Sequence, residues 1–428
     1  MSADARAMST VEDQVDPAVV VGGAGPWAVP MGADHGEVKR NNMEVVLRHL
    51  AVLGRASRAA IASRSGLTRT TLSRLVTELM AAGLVREVGA ERTGQSGRPG
   101  TLLELDGRHV LALGAEINVD CLTLVARNLG GDTLAAERRP LNATRRGMEE
   151  SVAGLANLCH DVLAKLSASH DGHAVRVVGL GVAIPGLVDV VSGVVFDAPN
   201  LRWRGAPIGR LLSRTLGWRD TTLSIGNDAN FGALAEYRIG SQSGTANLVY
   251  VTGEVGIGAG VIVGGQLLQG PRGYAGEVGH VSLDPHGPKC GCGRRGCWES
   301  MIGLNALFRA VGLSSTRQSK PEGRVRAIAD RAQGGDTVVM KGLEELGYWV
   351  GIGAGNLVNI LGTEVVILGG YFPILAEWIL PAARRSMAEQ VMLDTDPATL
   401  LTTSQLGFDA AAIGASIHVL EDVFSNPP

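Results

Sequence analysis

Within eighteen residues of the chain, His280 is followed by Cys290, Cys292 and Cys297, with Gly287, Gly291, Gly293 and Gly296 interspersed. One imidazole and three thiolates are a ligand set for tetrahedral Zn²⁺, whose N and S donors lie about 2.0–2.3 Å from the ion. The glycines let the backbone turn tightly enough for Cys290 and Cys292 to reach one metal. With all four positions filled by protein, such an ion would stabilise and orient rather than activate water. The alternative is three free thiols clustered by chance, in a chain of 428 residues with five cysteines. The other two, Cys121 and Cys159, lie in apolar surroundings and are expected in the core.

The elements around this loop must belong to more than one core, because 428 residues exceed what a single core organises. Hydrophobic residues make up 45% and charged residues 19% of the chain, so most of it is expected to be globular. Fifty-nine glycines, against a usual share of about 7%, suit a fold with many tight βα turns. The apolar run Val177–Val188 is too short to span a bilayer. The first 35 residues hold Asp4, Glu12, Asp13 and Asp16 without a basic n-region and are expected to be a disordered tail, not a leader. Clustered thiols without paired spacing suit a metal in a reducing cytoplasm. Residues 36–105 carry eleven Lys/Arg against six Asp/Glu, a surplus of +5, while the whole chain is at −3. A basic module on an acidic body implies that only the front end meets a polyanion.

In that front end, Met43, Val46, Leu47, Leu50 and Leu53 recur at helical spacing, and Gly54 stops the helix. Ser57 caps a second helix through Arg64, and Thr68 caps a third with the apolar face Leu72, Leu75, Val76, Leu79 and Met80. Strands Leu84–Val88 and Leu102–Leu105 follow, so residues 36–106 are predicted to form a winged helix-turn-helix. On the third helix Arg69, Thr70, Thr71, Ser73 and Arg74 lie off the apolar stripe and are the candidate DNA contacts, with Arg69 in the first turn, where recognition helices reach base edges. An ordinary solvated helix face is the competing reading. At the wing tip, Gly97-Arg98-Pro99 offers Arg98 to a narrow minor groove, or makes a plain hairpin turn. The block Asn41–Leu105 resembles the DNA-binding domain of repressors of the ROK family (repressors, open reading frames, kinases).

From Val110 onward, short β-branched strands (Leu111–Gly114, Leu122–Ala126, Val175–Val182, Leu248–Val251, Val365–Leu368) alternate with glycine turns and helical stripes such as Met148 to Leu166. Alternation of β and α implies α/β sheets covered by helices, with ligands at the carboxyl ends of strands. Gly179-Leu180-Gly181-Val182-Ala183-Ile184-Pro185-Gly186, Ala198-Pro199-Asn200, Ile225-Gly226-Asn227-Asp228 and Glu277-Val278-Gly279-His280 with its cysteine loop resemble the ROK signature segments. The resemblance implies a two-lobed, actin-like and hexokinase-like body over 107–428 with a zinc loop at 280–297. It implies sugar hydroxyls held by Asn227, Asp228, Glu277, His280 and Glu299. Carboxylates accept from hydroxyls and Asn does both, which suits a pyranose. His280 can face zinc with one ring nitrogen and sugar with the other. Asp228 as a turn residue and Glu299 as a solvated helix start are the structural alternatives.

The kinase half of the resemblance is incomplete. ROK kinases open with Asp-x-Gly-Gly-Thr, and here Glu116-Ile117-Asn118-Val119-Asp120 stands in its place. A second loop, Gly-Thr-Gly-x-Gly-Gly-Gly, becomes Glu254-Val255-Gly256-Ile257-Gly258-Ala259-Gly260. Side chains and carboxylates obstruct close N–H approach to phosphate. Leu368-Gly369-Gly370 survives, as a phosphate loop or a plain turn. The expected function is therefore a sugar-responsive, zinc-containing repressor without catalytic residues. It binds an inverted-repeat DNA operator as a homodimer or homotetramer in the cytoplasm, on the nucleoid when operator-bound, with no membrane partner. The competing classes are an ATP-dependent sugar kinase with a DNA-binding appendage, and a zinc-stabilised protein with a different effector.

Overall fold

The computed structural model describes residues 34–90, 100–169, 175–218, 221–313, 321–392 and 396–427. Residues 1–33, the bulk of the expected tail, and Arg98 lie outside the described residues. The first helix, α1 (His35–Leu53), begins at the last residue of the stretch expected to be a tail. After it come β1 (Ala56–Ser57), α2 (Arg58–Ser65), α3 (Arg69–Ala81), β2 (Val85–Ala90) and β3 (Thr101–Leu105). Both expected caps are present: Ser57 accepts from Ala60 N–H and Thr68 from Thr71 N–H, satisfying first-turn donors. Gly66 closes α2 in the left-handed region. The two-residue β1, invisible to periodicity, pairs with β3 and makes the wing sheet three-stranded, β1-β3-β2.

The first lobe comprises β4 (Val110–Ile117), β5 (Cys121–Asn128), β6 (Thr133–Pro140), α4 (Ala143–Ser169) and β7 (Arg176–Ile184). A small antiparallel sheet of β8 (Leu187–Asp189), β9 (Val194–Ala198) and β10 (Trp203–Ala206) precedes α5 (Ile208–Leu216), β11 (Thr222–Asn227) and α6 (Asp228–Ile239). The second lobe holds β12 (Leu248–Gly253), β13 (Ile257–Val263), β14 (Gln266–Leu267), α7 (Trp298–Ile302), α8 (Leu304–Ala310), α9 (Pro321–Gln333) and α10 (Thr337–Leu361). It ends with β15 (Val365–Gly370), α11 (Ala376–Ala388), α12 (Pro397–Leu400) and β16 (Leu401–Thr403), and α13 (Ala410–Ser425) closes the chain.

The two large sheets run β6-β5-β4-β7-β11 and β14-β13-β12-β15-β16. In each, the first strand pairs antiparallel with the second and parallel with the fourth, so one topology occurs twice. This is the doubled α/β plan of the actin-like and hexokinase-like fold. Each lobe buries its own core, with Cys159 fully buried in the first and Trp298 in the second. Cys121 is buried too, as expected of it.

Helix α13 joins the parts. A β-carbon on Gly114 of β4 would lie 1.9 Å from the Ala412 carbonyl oxygen, and one on Gly181 of β7 2.4 Å from that of Ala415. Only glycine allows that backbone approach. The far end of α13 places Val419, Leu420 and Phe424 in one core with Met43, Val46, Leu47 and Leu50 of α1 and Leu75 and Leu79 of α3. The winged helix thus shares its core with the body's C-terminal helix.

Candidate functional site

The side chains of His280, Cys290, Cys292 and Cys297 converge, with one ligand atom from each lying within 4.8 Å of all the others. Cys290 Sγ is 3.8 Å from His280 Nδ1, and Cys292 Sγ is 3.6 Å from Cys297 Sγ. A tetrahedron with arms of about 2.3 Å has edges of about 3.7 Å, so this donor set fits Zn²⁺. Burial pushes the Cys290 thiol up to about 12, and a bound dication would supply the charge that lets it ionise. The loop is pinned by Cys290 N–H to Arg294 O and by the Ser282–Cys297 bridge.

Glu299, in the first turn of α7, touches that loop. Its Oε1 lies 3.4 Å from Cys290 Sγ and its Oε2 accepts Ile257 N–H at 3.1 Å. It is therefore a bonded group rather than a solvated helix start. A β-carbon on Gly256 would lie 2.7 Å from Glu299 Oε2 and 3.4 Å from Asn200 Nδ2. Asn200 thus stands on the same wall, although sequence reasoning left it out of the candidate sugar contacts. Its only signal was the Ala198-Pro199-Asn200 motif.

Asn227 and Asp228 stand where β11 runs into α6. Asn227 caps the helix by accepting Asn230 N–H and donates its amide to Gly186 O at 3.0 Å, so much of its bonding capacity is structural. Asp228 Oδ1 accepts Ala229 N–H at 2.9 Å. Burial raises the Asp228 carboxyl to about 6, against the pull of those N–H groups. Glu277 opens onto solvent, yet crowding by protein raises it; His280 opposes the shift, while Asp228 and Glu299 add to it. Asp228, Glu277, His280 and Glu299 therefore share one electrostatic neighbourhood. With His280 Nδ1 turned to the cysteines, Nε2 is left for a ligand.

A second group of acids gathers at the end of β4. Asn118, at the end of β4, donates to Glu116 Oε1 at 2.7 Å and to Glu254, while its own Oδ1 accepts Val119 N–H. Burial, then Asp228, raises Glu254 to about 7, and burial raises Glu116 well above the carboxylate range, with Glu254 and Asp228 adding to it. Arg138 contacts Cys121 at 3.2 Å and pairs with Glu322 at 3.7 Å across a cavity of about 220 Å³ that Asn118, Asp120 and Glu254 also line. The surviving glycines serve packing: a β-carbon on Gly369 would lie 2.1 Å from Tyr250 Oη, and one on Gly370 2.1 Å from Gly253 O. The turn reading of Leu368-Gly369-Gly370 accounts for them.

On α3, Arg69, Thr70, Ser73 and Arg74 are exposed. Among the described residues neither Arg69 nor Arg74 has an ion-pair partner. By contrast Arg58 is held by Glu87 at 2.9 Å and Arg55 by Glu104 at 2.7 Å. Thr71 differs from its neighbours, because its hydroxyl is 2.9 Å from that of Thr68 and works in the cap.

A helix-turn-helix module joined to a two-lobed α/β body is the plan of a DNA-binding regulator built on a sugar-kinase fold. The profile of the ROK family matches residues 113–422, and the chain belongs to that family. The IclR helix-turn-helix domain profile matches residues 45–89. The chain is 28% identical to the xylose repressor of Bacillus spizizenii over 389 residues, covering 91% of this chain and 97% of that protein. It is 25% identical to the DNA-binding transcriptional dual regulator NagC of Escherichia coli, covering 83% and 86%. A ROK family glucokinase from Streptomyces griseus, solved with glucose and AMPPNP, superposes with a TM-score of 0.58 at 26% identity, covering 72% of this chain and 98% of its own. A ROK family transcriptional regulator described as a homologue of the E. coli MLC protein gives a TM-score of 0.76 at 23% identity over 91% and 97%. The regulators span the winged helix as well as the body; the kinase spans the body.

Proposed function

We propose that the chain is a transcriptional repressor that leaves its operator when a sugar or sugar derivative fills the cleft between Asp228, Glu277, His280 and Glu299. Residues 36–106 grip duplex DNA through Arg69, Thr70, Ser73 and Arg74, with Thr71 seating the helix and Arg98 on the wing. Residues 107–428 sense the effector. His280, Cys290, Cys292 and Cys297 hold one Zn²⁺, which fixes His280 for the ligand. The working form is a homodimer or homotetramer on an inverted repeat in the cytoplasm and nucleoid, since operator symmetry mirrors that of helix-turn-helix dimers. No helix among the described residues is long and apolar enough to cross a membrane.

The observation that carries the regulator over the kinase is the Asn118 amide tied to both Glu116 and Glu254. ATP phosphates would have to enter beside Asn118 and Glu254, where side chains take up the space and the bare N–H donors that a phosphate loop needs are missing. Asp228 then serves as a hydroxyl acceptor and not as a general base. A coupled assay for ADP with D-xylose or D-glucose tests this. No turnover above the protein-free rate is expected, and sugar-dependent ADP that disappears in Asp228→Asn would establish the kinase instead.

A further inference from the structure

Helix α6 begins at Asp228 and runs twelve residues to Ile239, with Arg238 in its last turn. Arg238 Nε binds Glu421 Oε1 of α13 at 2.9 Å, and the other oxygen of Glu421 binds Arg48 Nη1 of α1 at 3.0 Å. Arg48 is also braced by Glu44 at 2.7 Å, one turn back on the same helix. One half-buried carboxylate is thus shared by two guanidiniums, one on the helix that carries the effector residues and one on a helix of the DNA-binding module. Arg48 Nη2 also reaches Ser425 Oγ at the end of α13 at 3.4 Å, and the core of the junction is apolar: Val419, Leu420 and Phe424 against Met43, Val46, Leu47 and Leu50.

The two kinds of contact do different work. Apolar packing is non-directional and holds α1 on α13 without fixing its angle. A carboxylate clamped by two forked donors is directional and defines one orientation. Helices α6 and α13 are in backbone contact, since a β-carbon on Gly414 would lie 1.7 Å from the Phe231 carbonyl oxygen. A shift of α6 is therefore carried into α13 rather than absorbed between them. A groove of about 910 Å³, lined by Arg55, Arg238, Leu420 and Glu421, lies beside the joint and leaves α1 room to swing.

We propose that Glu421 is the positioning residue that couples the effector cleft to the DNA-reading helices. It holds α1, through Arg48, at an angle set by Arg238 at the end of α6. This rests on the sugar-responsive reading above. A ligand that pulls the start of α6 moves Arg238 at its end, and the shared carboxylate passes the displacement to Arg48. Without the carboxylate, cleft and operator site each still bind, but each ignores the other. By linkage, the loss is reciprocal.

The test uses the full chain, a duplex selected from random DNA by the wild-type protein, and D-xylose and D-glucose as probes. The readout is the ratio of DNA affinities without and with sugar, expected at roughly 5- to 150-fold for the wild type. Glu421→Gln keeps the size and removes the charge. It should collapse the ratio towards one, while sugar affinity measured without DNA stays within about twofold. Arg238→Gln should collapse it equally, the double variant should add nothing further, and Glu421→Asp should restore part of it. A purely structural Glu421 would lower DNA affinity equally with and without sugar and leave the ratio intact, which overturns the proposal. Should Glu421→Gln fail to fold, Arg238→Gln decides alone, and an unchanged ratio there overturns it too. A ratio of one in the wild type with both sugars would mark failure of the sugar-responsive reading itself, and the coupling would fall with it.

Discussion

Cys290 Sγ lies 3.4 Å from Glu299 Oε1, so a thiol of the His280–Cys297 cluster touches a carboxylate of the proposed effector pocket. Glu299 is anchored on its other side by Ile257 N–H, in the strand that packs beneath the Asp228 helix. The loop therefore buttresses the pocket as well as presenting His280.

Loss of the metal should consequently be felt in the pocket. Elemental analysis should find one zinc per wild-type chain and none in Cys292→Ser. Disturbed support around a ligand-orienting histidine commonly costs about 10- to 100-fold, and sugar affinity by calorimetry should fall within that range. A zinc-free wild-type preparation with full sugar affinity would remove the metal from the mechanism.

Asp228 gives the pocket a pH signature. Burial raises its carboxyl from 3.8 to about 6. The folded state then holds its proton between about pH 4 and 6 where the unfolded chain has released it, so stability contributed here falls as pH rises through that window. Ligand acceptance runs the other way, because only the carboxylate offers all its lone pairs. Sugar affinity should decline as pH drops below about 6, while Asp228→Asn should bind sugar weakly at every pH. It should also unfold on the order of 2 kcal/mol later than wild type at neutrality, as read from urea titrations at pH 5 and 7.

Much of the DNA-binding module was legible because its signals are local. Ser57 and Thr68 cap within three residues, and the zinc ligands fall within one loop. Non-local pairing was not legible. Edge strand β6, Thr133–Pro140, alternates exposed polar residues and carries no apolar run, so nothing in the sequence marked it. The doubled strand order depends on partners over a hundred residues apart, such as Leu248 and Val365. The degraded phosphate loops could be read, but not that Asn118 ties Glu116 to Glu254, 136 residues further on from Asn118. Arg48 and Glu421 are 373 residues apart, beyond any pattern.

On the reading helix, Arg74→Ala should weaken binding to the selected duplex by about 1–3 kcal/mol if its fork engages a guanine. Arg69→Ala should also weaken it, since Arg69 sits in the first turn, where recognition helices reach base edges. Gel-shift titrations with the selected duplex measure both losses. Unaltered binding by the Arg69→Ala/Arg74→Ala double variant would remove α3 from the interface.

The shared core makes a further demand. Phe424 is 8% exposed and fills the α1–α13 junction, and truncating a buried Phe costs about 3–5 kcal/mol. Phe424→Ala should loosen the amides of α1 and α3 in hydrogen exchange while those of β7 and β11 stay protected. Equal loosening everywhere would mean that α13 supports the whole chain and not the DNA-binding module in particular.

The most direct measurement is a fluorescence-anisotropy titration of the wild-type protein against its selected duplex, at pH 7 and fixed salt, with and without saturating D-xylose or D-glucose. At least one sugar should weaken the complex by roughly fivefold or more, and Asp228→Asn and Glu277→Gln should bind the duplex normally while ignoring that sugar. Identical affinity with and without each sugar, or a response that survives in both variants, would contradict an effector site built from Asp228, Glu277, His280 and Glu299.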